Sequence, residues 1–380
     1  MSLFRFLRPH KKDGADVAVI GSGLTAGAIA LELARRRCRV SVHEPPGPPG
    51  PPPPPGLGLV TLGLGRPYDR VVGALGHAPA LSIWEAGRQN RERVREFLRK
   101  AGHHCALQAR GSFLLSEDRV EAESLANSED MLREDDFSGE FLDHYMLETH
   151  FDLSGFTGAY WAADDLELDL SELAAAVASA ARSAGALFRT TRVLGLDAGE
   201  SGVVVITDEA PAMASRVVVA DDEVARSLLP DLGPGLAGSP APRLRAALPS
   251  GASLPGAART ADGRIAWQVS PGGITLAAQR RTSPSSEPRD AGRLDALLSR
   301  LHATPGSERR WTENAGLAVD GLPMVGPVAG KPLVVACGLG PLEASLAFAA
   351  ARWVGDAILT GRDSTPEPFR VNRAAQAVPV

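Results

Sequence analysis

Asp16-Val17-Ala18-Val19-Ile20-Gly21-Ser22-Gly23-Leu24-Thr25-Ala26-Gly27 is the stretch that decides the fold of this chain. An apolar strand runs straight into a glycine turn. An alanine-rich helical stretch follows through Arg37, and a second apolar run, Arg39-Val40-Ser41-Val42-His43, ends on Glu44. Strand, glycine turn, helix, strand and acid, in that order, are the sequence form of a site for a dinucleotide such as FAD or NAD. Gly21 lets the chain turn sharply off the strand. Gly23 has no side chain, so the backbone can approach a pyrophosphate, and Ala26 is small enough for the helix to pack on the strand. Free N–H groups at the helix start face the phosphates. Glu44, about 20 residues on, accepts hydrogen bonds from a ribose diol. A bare glycine motif recurs by chance in strand–turn–helix units without ligands; the flanking strands and the acid give this one its meaning.

The chain has 380 residues, 44% of them hydrophobic and 22% charged, enough for a large core and two domains. A net charge of −5 offers no basic field for nucleic acid. Cys38, Cys105 and Cys337 are far apart and odd in number, which argues against a disulfide framework or a zinc site and fits a reducing cytoplasm. The apolar run within residues 1–12 is too short for a signal peptide or a membrane span. The abundance of alanine, glycine, proline and arginine suggests a GC-rich bacterial genome.

Periodicity and punctuation lay out the rest. Pro45 to Gly56 is almost wholly proline and glycine and reads as a loop of polyproline II character. Helical spacing is expected over 81–101, with its arginines on a solvated face, and over 116–134 and 294–303. Ser171 to Gly185 reads as a helix capped by Ser171 and ended by Gly185. Strands are expected at 111–115, 158–161, 187–196, 203–207, 216–220 and 333–336, with a hairpin of 265–269 and 274–279. Residues 239–256 read as a Pro/Ala-rich loop, and 342–359 as a long closing helix. Dinucleotide-type pieces thus come from three separated regions, which favours a flavin fold over a contiguous NAD unit.

On four segments the chain resembles the FAD-dependent oxidoreductases of the D-amino-acid oxidase, glycine oxidase and sarcosine oxidase family. They are Asp16–Glu44, Leu166–Leu196, Ser201–Ala220 and Trp311–Gly361. The last is the most specific, because Asp320-Gly321-Leu322-Pro323-Met324-Val325-Gly326-Pro327 is similar to the family's DGLPxIGP block. The ending Pro368-Phe369-Arg370-Val371-Asn372-Arg373 is similar to its PFxPxR tail. The resemblance implies an α/β chain: a Rossmann-like FAD-binding domain of the GR2 type with an interleaved α+β substrate domain built on an antiparallel sheet. The expected FAD domain takes residues 14–75, 160–225 and 311–373; the substrate domain takes 76–159 and 226–310, with tails at 1–13 and 374–380.

By that resemblance Ile20, Gly21, Gly23, Leu24, Thr25 and Ala26 cradle the pyrophosphate, while His43 and Glu44 flank the ribose. Val193 and Ala220 lie by the adenosine, and Gly338, Leu339, Gly340 and Pro341 by the isoalloxazine ring. FAD is expected to be noncovalent, because the family's covalent-flavin cysteine has no equivalent here. Prolines stand where relatives carry a polar loop after the ribose acid. Gly316-Leu317-Ala318-Val319 lacks the arginine of the family's GLRP block. Arg280, Arg281 and Arg310 are the remaining candidates for a substrate carboxylate, each set against the plainer reading of a surface charge. His103-His104, His144 and His150 have no metal-ligand spacing, and Asp164, Asp165, Glu167 and Asp169 read as a solvated charge cluster before a helix. No metal site and no catalytic side chain is assigned.

Two functions follow. The first is an FAD-dependent oxidoreductase that oxidises the C–N bond of an amine or amino acid by hydride transfer to flavin N5. The alternative is a noncatalytic relative that binds only the ADP moiety or an adenine nucleotide. The partner is a small-molecule substrate, with no nucleic acid and no integral membrane segment; a homodimer is compatible with the sequence.

Overall fold

The computed structural model describes residues 15–47, 57–199, 202–232, 235–249, 254, 256–270, 272–278, 287–301, 303, 304 and 306–373. The glycine-turn region folds as β1 (Ala15–Ile20), α1 (Gly23–Arg35) and β2 (Val40–Glu44). Arg37, expected in α1, lies beyond it in a left-handed conformation. Of the proline loop, residues 48–56 lie outside the described residues. β3 (Leu59–Val60) leads to α2 (Tyr68–Leu75) and α3 (His77–Ala101), whose buried Ile83, Trp84, Asn90, Arg91, Val94, Phe97 and Leu98 recur at helical spacing. Next come β4 (Ser112–Ser116), α4 (Arg119–Glu134), β5 (Glu140–Asp143), α5 (His144–Phe151), β6 (Gly158–Ala162) and β7 (Leu166–Glu167). α6 (Leu170–Ser183) is capped by Asp169, which accepts from Glu172 N–H, so the expected cap Ser171 is already inside the helix.

The expected strand 187–196 is two: β8 (Leu187–Thr190) pairs with β2, the ladder ending at Thr191 N–H to Glu44 O, whereas β9 (Val193–Gly199) pairs with a later strand. β10 (Gly202–Thr207), β11 (Ala212–Val219) and α7 (Asp222–Leu228) follow. Of the stretch 239–256 read as a Pro/Ala loop, residues 239–247 belong to a strand, β12 (Leu236–Ala247), while 250–253 and 255 lie outside the described residues. Pro240 and Pro242 are tolerated because that half of β12 pairs on one side only; its second neighbour begins at Arg243. β13 (Ala257–Thr260), the hairpin β14 (Ile265–Ser270) and β15 (Gly273–Ala278), α8 (Glu287–Arg300) and β16 (Arg309–Ala318) complete that region. The chain closes with β17 (Met324–Pro327), β18 (Leu333–Cys337), a 3-10 turn at Gly340–Leu342 and α9 (Glu343–Thr360).

These elements form two large sheets. The first has the order β17-β18-β11-β1-β2-β8, parallel from β18 to β8, with β9 and β10 joined to β11 as an antiparallel ribbon. Its central strands are apolar on both faces. Val17, Val19 and Val218 enter the core under α1, α6 and α9, whereas Ala18, Ile20, Val217 and Val219 enter a second core with Val203 and Val205 of the ribbon. The second sheet runs β16-β12-β15-β14-β13-β4-β6-β5. It is antiparallel as expected except at β13 and β4, which pair in parallel because they arrive from separate excursions of the chain rather than from a hairpin.

The block at 320–327 has a structural task. Arg373 donates to both carboxylate oxygens of Asp320 (2.8 and 2.8 Å) and to the carbonyls of Leu322 (2.7 Å), Pro323 (3.0 Å) and Arg370 (2.9 Å). The pair is buried, so the C-terminal segment is clasped to the turn before β17 by a fully used guanidinium. Arg373→Ala strands the buried carboxylate of Asp320. It is expected to lower the unfolding free energy by about 3–5 kcal/mol, read from the midpoint of a urea titration, and Arg373→Lys should recover only part of the loss.

Candidate functional site

The ends of three strands meet at the glycine turn. Ala220 N–H donates to Ile20 O (2.8 Å) and Gly21 N–H donates to His43 O (3.0 Å). Gly21 has φ +144°, and a Cβ there would collide with the carbonyl of Ala220, so only glycine fits. Gly23, at φ +77°, opens α1. Ser22 precedes the helix without a side-chain cap, and Leu24, Thr25 and Ala26 are buried in its first turn. The anion at this helix start is the protein's own: Glu343 Oε1 accepts from Thr25 N–H (3.0 Å) and Thr25 Oγ1 (2.9 Å).

Glu44 ends β2 with its carboxylate 3.8 Å from Arg182 of α6, whose guanidinium lies 4.0 Å from the Phe188 ring centroid. His43 is buried, with Nδ1 3.1 Å from Thr191 Oγ1. Burial, and then the charge of Arg189, pushes its pKa down, which keeps the imidazole neutral. Val193 starts β9 opposite Thr207 and packs against the cluster that holds Ile20. Gly338 donates its N–H to Asp222 Oδ1 (2.7 Å) at φ +72°, and Gly340 has φ +41°. Glu343 follows two residues after Pro341, so this second turn is fastened against the first. A donor set already holding a carboxylate, beside a Gly21 that admits no side chain and a Gly23 whose positive φ favours glycine, fits the phosphates of a dinucleotide.

A second group lies beyond the Gly338–Pro341 turn. Asp169 caps α6 and the Asp164 side chain is half exposed, but Asp165 and Glu167 are only 3% and 2% exposed. The expectation of a solvated cluster therefore fails for these two; the chain after β6 is exposed at Ala163 and turns inward from Asp165. Asp165 accepts from Ser112 Oγ (2.7 Å) and from Arg91 (3.4 Å), so Arg91 too leaves the solvated face expected of α3. Burial raises Asp165 to a pKa of about 6, against the opposing effects of Ser112, Arg91 and Arg259. Arg259, on β13, is buried; it donates to Pro341 O (3.4 Å), and its Nε has no hydrogen-bond partner among the described residues. Burial pushes its pKa down to about 10, still charged at neutral pH.

Arg259, Asp165 and Ser112 line a cavity of about 60 Å³, open in part to solvent and walled by Leu62, Tyr68, Trp84, Phe113, Leu132 and Tyr160. A buried cation, hydroxyl groups and an aromatic wall can hold a small amphipathic anion away from water. Sequence reasoning missed Arg259, which sits in an alanine-rich strand with no motif to mark it. Of the arginines it did consider, Arg310 is an exposed partner of Asp295, and Arg280 and Arg281 lie outside the described residues. His103, His104, His144 and His150 are exposed, and no metal-holding cluster occurs among the described residues. The three cysteines are free; Cys337 donates to Val219 O inside the core. No helix among the described residues is long and apolar enough to cross a membrane.

Residues 16–357 match the profile of the family described as FAD dependent oxidoreductase. A glycine oxidase from Geobacillus kaustophilus (strain HTA426) is 28% identical over 210 residues, covering 54% of this chain and 54% of that protein. The match therefore spans about half the length of that curated relative. Among solved structures, a glycine oxidase from Geobacillus kaustophilus superposes with a TM-score of 0.77 at 21% identity, covering 95% of this chain and 99% of the other. An L-proline dehydrogenase from P. horikoshii gives 0.76 at 17% identity, covering 94% and 97%. Iminodiacetate oxidase from Chelativorans sp. BNC1 gives 0.72 at 19%, covering 93% and 98%. At these identities the structures share the fold.

Glu167 gives the site a pH signature. Its Oε1 accepts from Val269 N–H (2.8 Å), its Oε2 has no hydrogen-bond partner among the described residues, and burial raises its pKa from 4.5 to about 7. The folded state holds the proton that the unfolded chain releases, so this group's stabilisation is full below pH 4.5 and is lost as pH rises through about 7. Glu167→Gln is expected to melt above the parent at pH 8, with the difference shrinking towards pH 4.5 by about 2–3 kcal/mol of stability; thermal melts across that range measure it. A constant difference would remove the buried carboxyl as its source.

Proposed function

The chain belongs to the FAD dependent oxidoreductase family, and from that premise we propose that it oxidises the C–N bond of an amine or amino acid. FAD, held noncovalently, would supply the redox chemistry when bound: it would accept the hydride of the carbon beside the amine nitrogen at flavin N5, the substrate losing an N–H proton to become an imine, with oxygen or another acceptor as the final oxidant. The chain's own residues bind and orient. Ile20, Gly21, Gly23, Leu24, Thr25 and Ala26 hold the pyrophosphate, Glu44 accepts from the adenosine ribose, and the backbone at His43, Val193 and Ala220 flanks the nucleoside. Gly338, Leu339, Gly340 and Pro341 lie at the flavin end. Arg259 holds the substrate carboxylate, the task for which a guanidinium fork is suited. The aromatic wall around Trp84 and Phe113 excludes water.

One observation carries this reading: a cavity residue, Arg259, is bonded to the same short turn that leads to the glycine turn. Pro341 O takes the hydrogen bond from Arg259, and two residues later Glu343 reaches Thr25 at the glycine turn. This link supports a substrate beside Arg259 at the flavin end of the cofactor, given the reading that Gly338–Pro341 lies there. Free, dispersed cysteines support a cytoplasmic location, and the composition supports a bacterial source.

The purified protein is expected to be yellow, and acid precipitation should release all of its flavin. Adding an amino acid under anaerobic conditions should bleach the flavin band. Arg259→Gln should raise KM at least ~10-fold for amines that carry a carboxylate, the scale of a lost charged hydrogen bond, and leave uncharged amines unaffected. A colourless protein that binds ADP and stays apo in excess FAD would establish the ADP-only alternative instead.

A further inference from the structure

Two helix N-termini converge on one carboxylate. Glu343 is the first residue of α9, and its Oε1 takes both the N–H and the hydroxyl of Thr25 in the first turn of α1. The same oxygen lies 3.6 Å from where a Cβ of Gly23 would stand. That is the space the glycine turn keeps open for a phosphate. Ser22 leaves the helix start without a side-chain cap of its own, so Glu343 is the group that neutralises it.

A pyrophosphate is a second anion that needs the same donors. It cannot share Thr25 N–H with a carboxylate about 3 Å away without strong like-charge repulsion in a partly buried place. We infer that Glu343 is an internal anion that competes with the cofactor's pyrophosphate, so that loading requires its side chain to swing out of the glycine turn. This rests on the FAD reading above. It gives the chain a folded, capped apo state and sets its cofactor affinity. The displaced residue directly follows the Gly340–Leu342 turn, whose Pro341 O is bonded by the cavity's Arg259, so filling the nucleotide site acts on a turn to which the cavity is linked.

The test is equilibrium binding to apo protein, with FAD followed by quenching of flavin fluorescence, ADP by calorimetry, and riboflavin as the probe that lacks a pyrophosphate. Glu343→Ala is expected to bind FAD and ADP at least ten-fold more tightly than the parent. Glu343→Gln, isosteric and uncharged, should fall between, and riboflavin should be indifferent to all three. Apo Glu343→Ala should melt below apo parent, with the gap closing when both are FAD-loaded. If parent and Glu343→Ala bind FAD and ADP equally, or the parent binds them more tightly, the competition is refuted while the FAD reading stands. If no folded variant binds FAD but Glu343→Ala tightens ADP, the competition stands and the FAD reading falls. If FAD and ADP are both ignored by every folded variant, both fall.

Discussion

Everything at this site depends on an absent side chain. At Gly21 the ends of β1 and β2 and the residue after β11 approach so closely that a Cβ would strike the carbonyl of Ala220. That approach lets Gly21 bond His43 and Ala220 bond Ile20, which holds the three parallel strand ends level. With the ends level, α1 starts at the carboxyl edge of the sheet, where helix dipole and free N–H groups face outward. The flat apolar faces of β1 and β11 behind it, buried under helices on one side and the ribbon on the other, keep that edge rigid.

Charge at this edge is arranged by contact rather than by abundance. The chain is mildly acidic, yet the glycine turn is fronted by one carboxylate, Glu343, and the neighbouring cavity by one deeply buried cation, Arg259. Both act on the Gly340–Leu342 turn from opposite sides. Buried ions are costly unless partnered. Asp165 supplies the attraction for Arg259, and Ser112 and Arg91 hold Asp165 in place. The glycine turn and the cavity are thus linked through a single short turn.

Much of the nucleotide half was legible beforehand. The strand–turn–helix–strand of 16–44 and the closing strand and helix stand close to the boundaries expected from their periodicity, because each is a local pattern with its own start and stop signals. The turn at 320–323 was readable as a motif, although its task as the seat of Arg373 was not. The misreadings were of another kind. Prolines made 239–247 look like part of a loop, since composition cannot reveal that half of the strand has a neighbour on one side only. Asp165, Glu167 and Arg91 looked solvated, since charge in a sequence carries no sign of burial.

By itself the sequence determined a glycine turn at a helix start, the arrangement that suits a dinucleotide's phosphates, because that chemistry is written in a dozen consecutive residues and one acid beyond them. Only the tertiary structure decided which side chains surround that start. Thr25 and Glu343 are 318 residues apart, and Arg259 and Pro341 are 82 apart. Such partners meet through sheet order and helix packing, which no local spacing records, and their energies depend on a dielectric that exists only once the chain has closed around them.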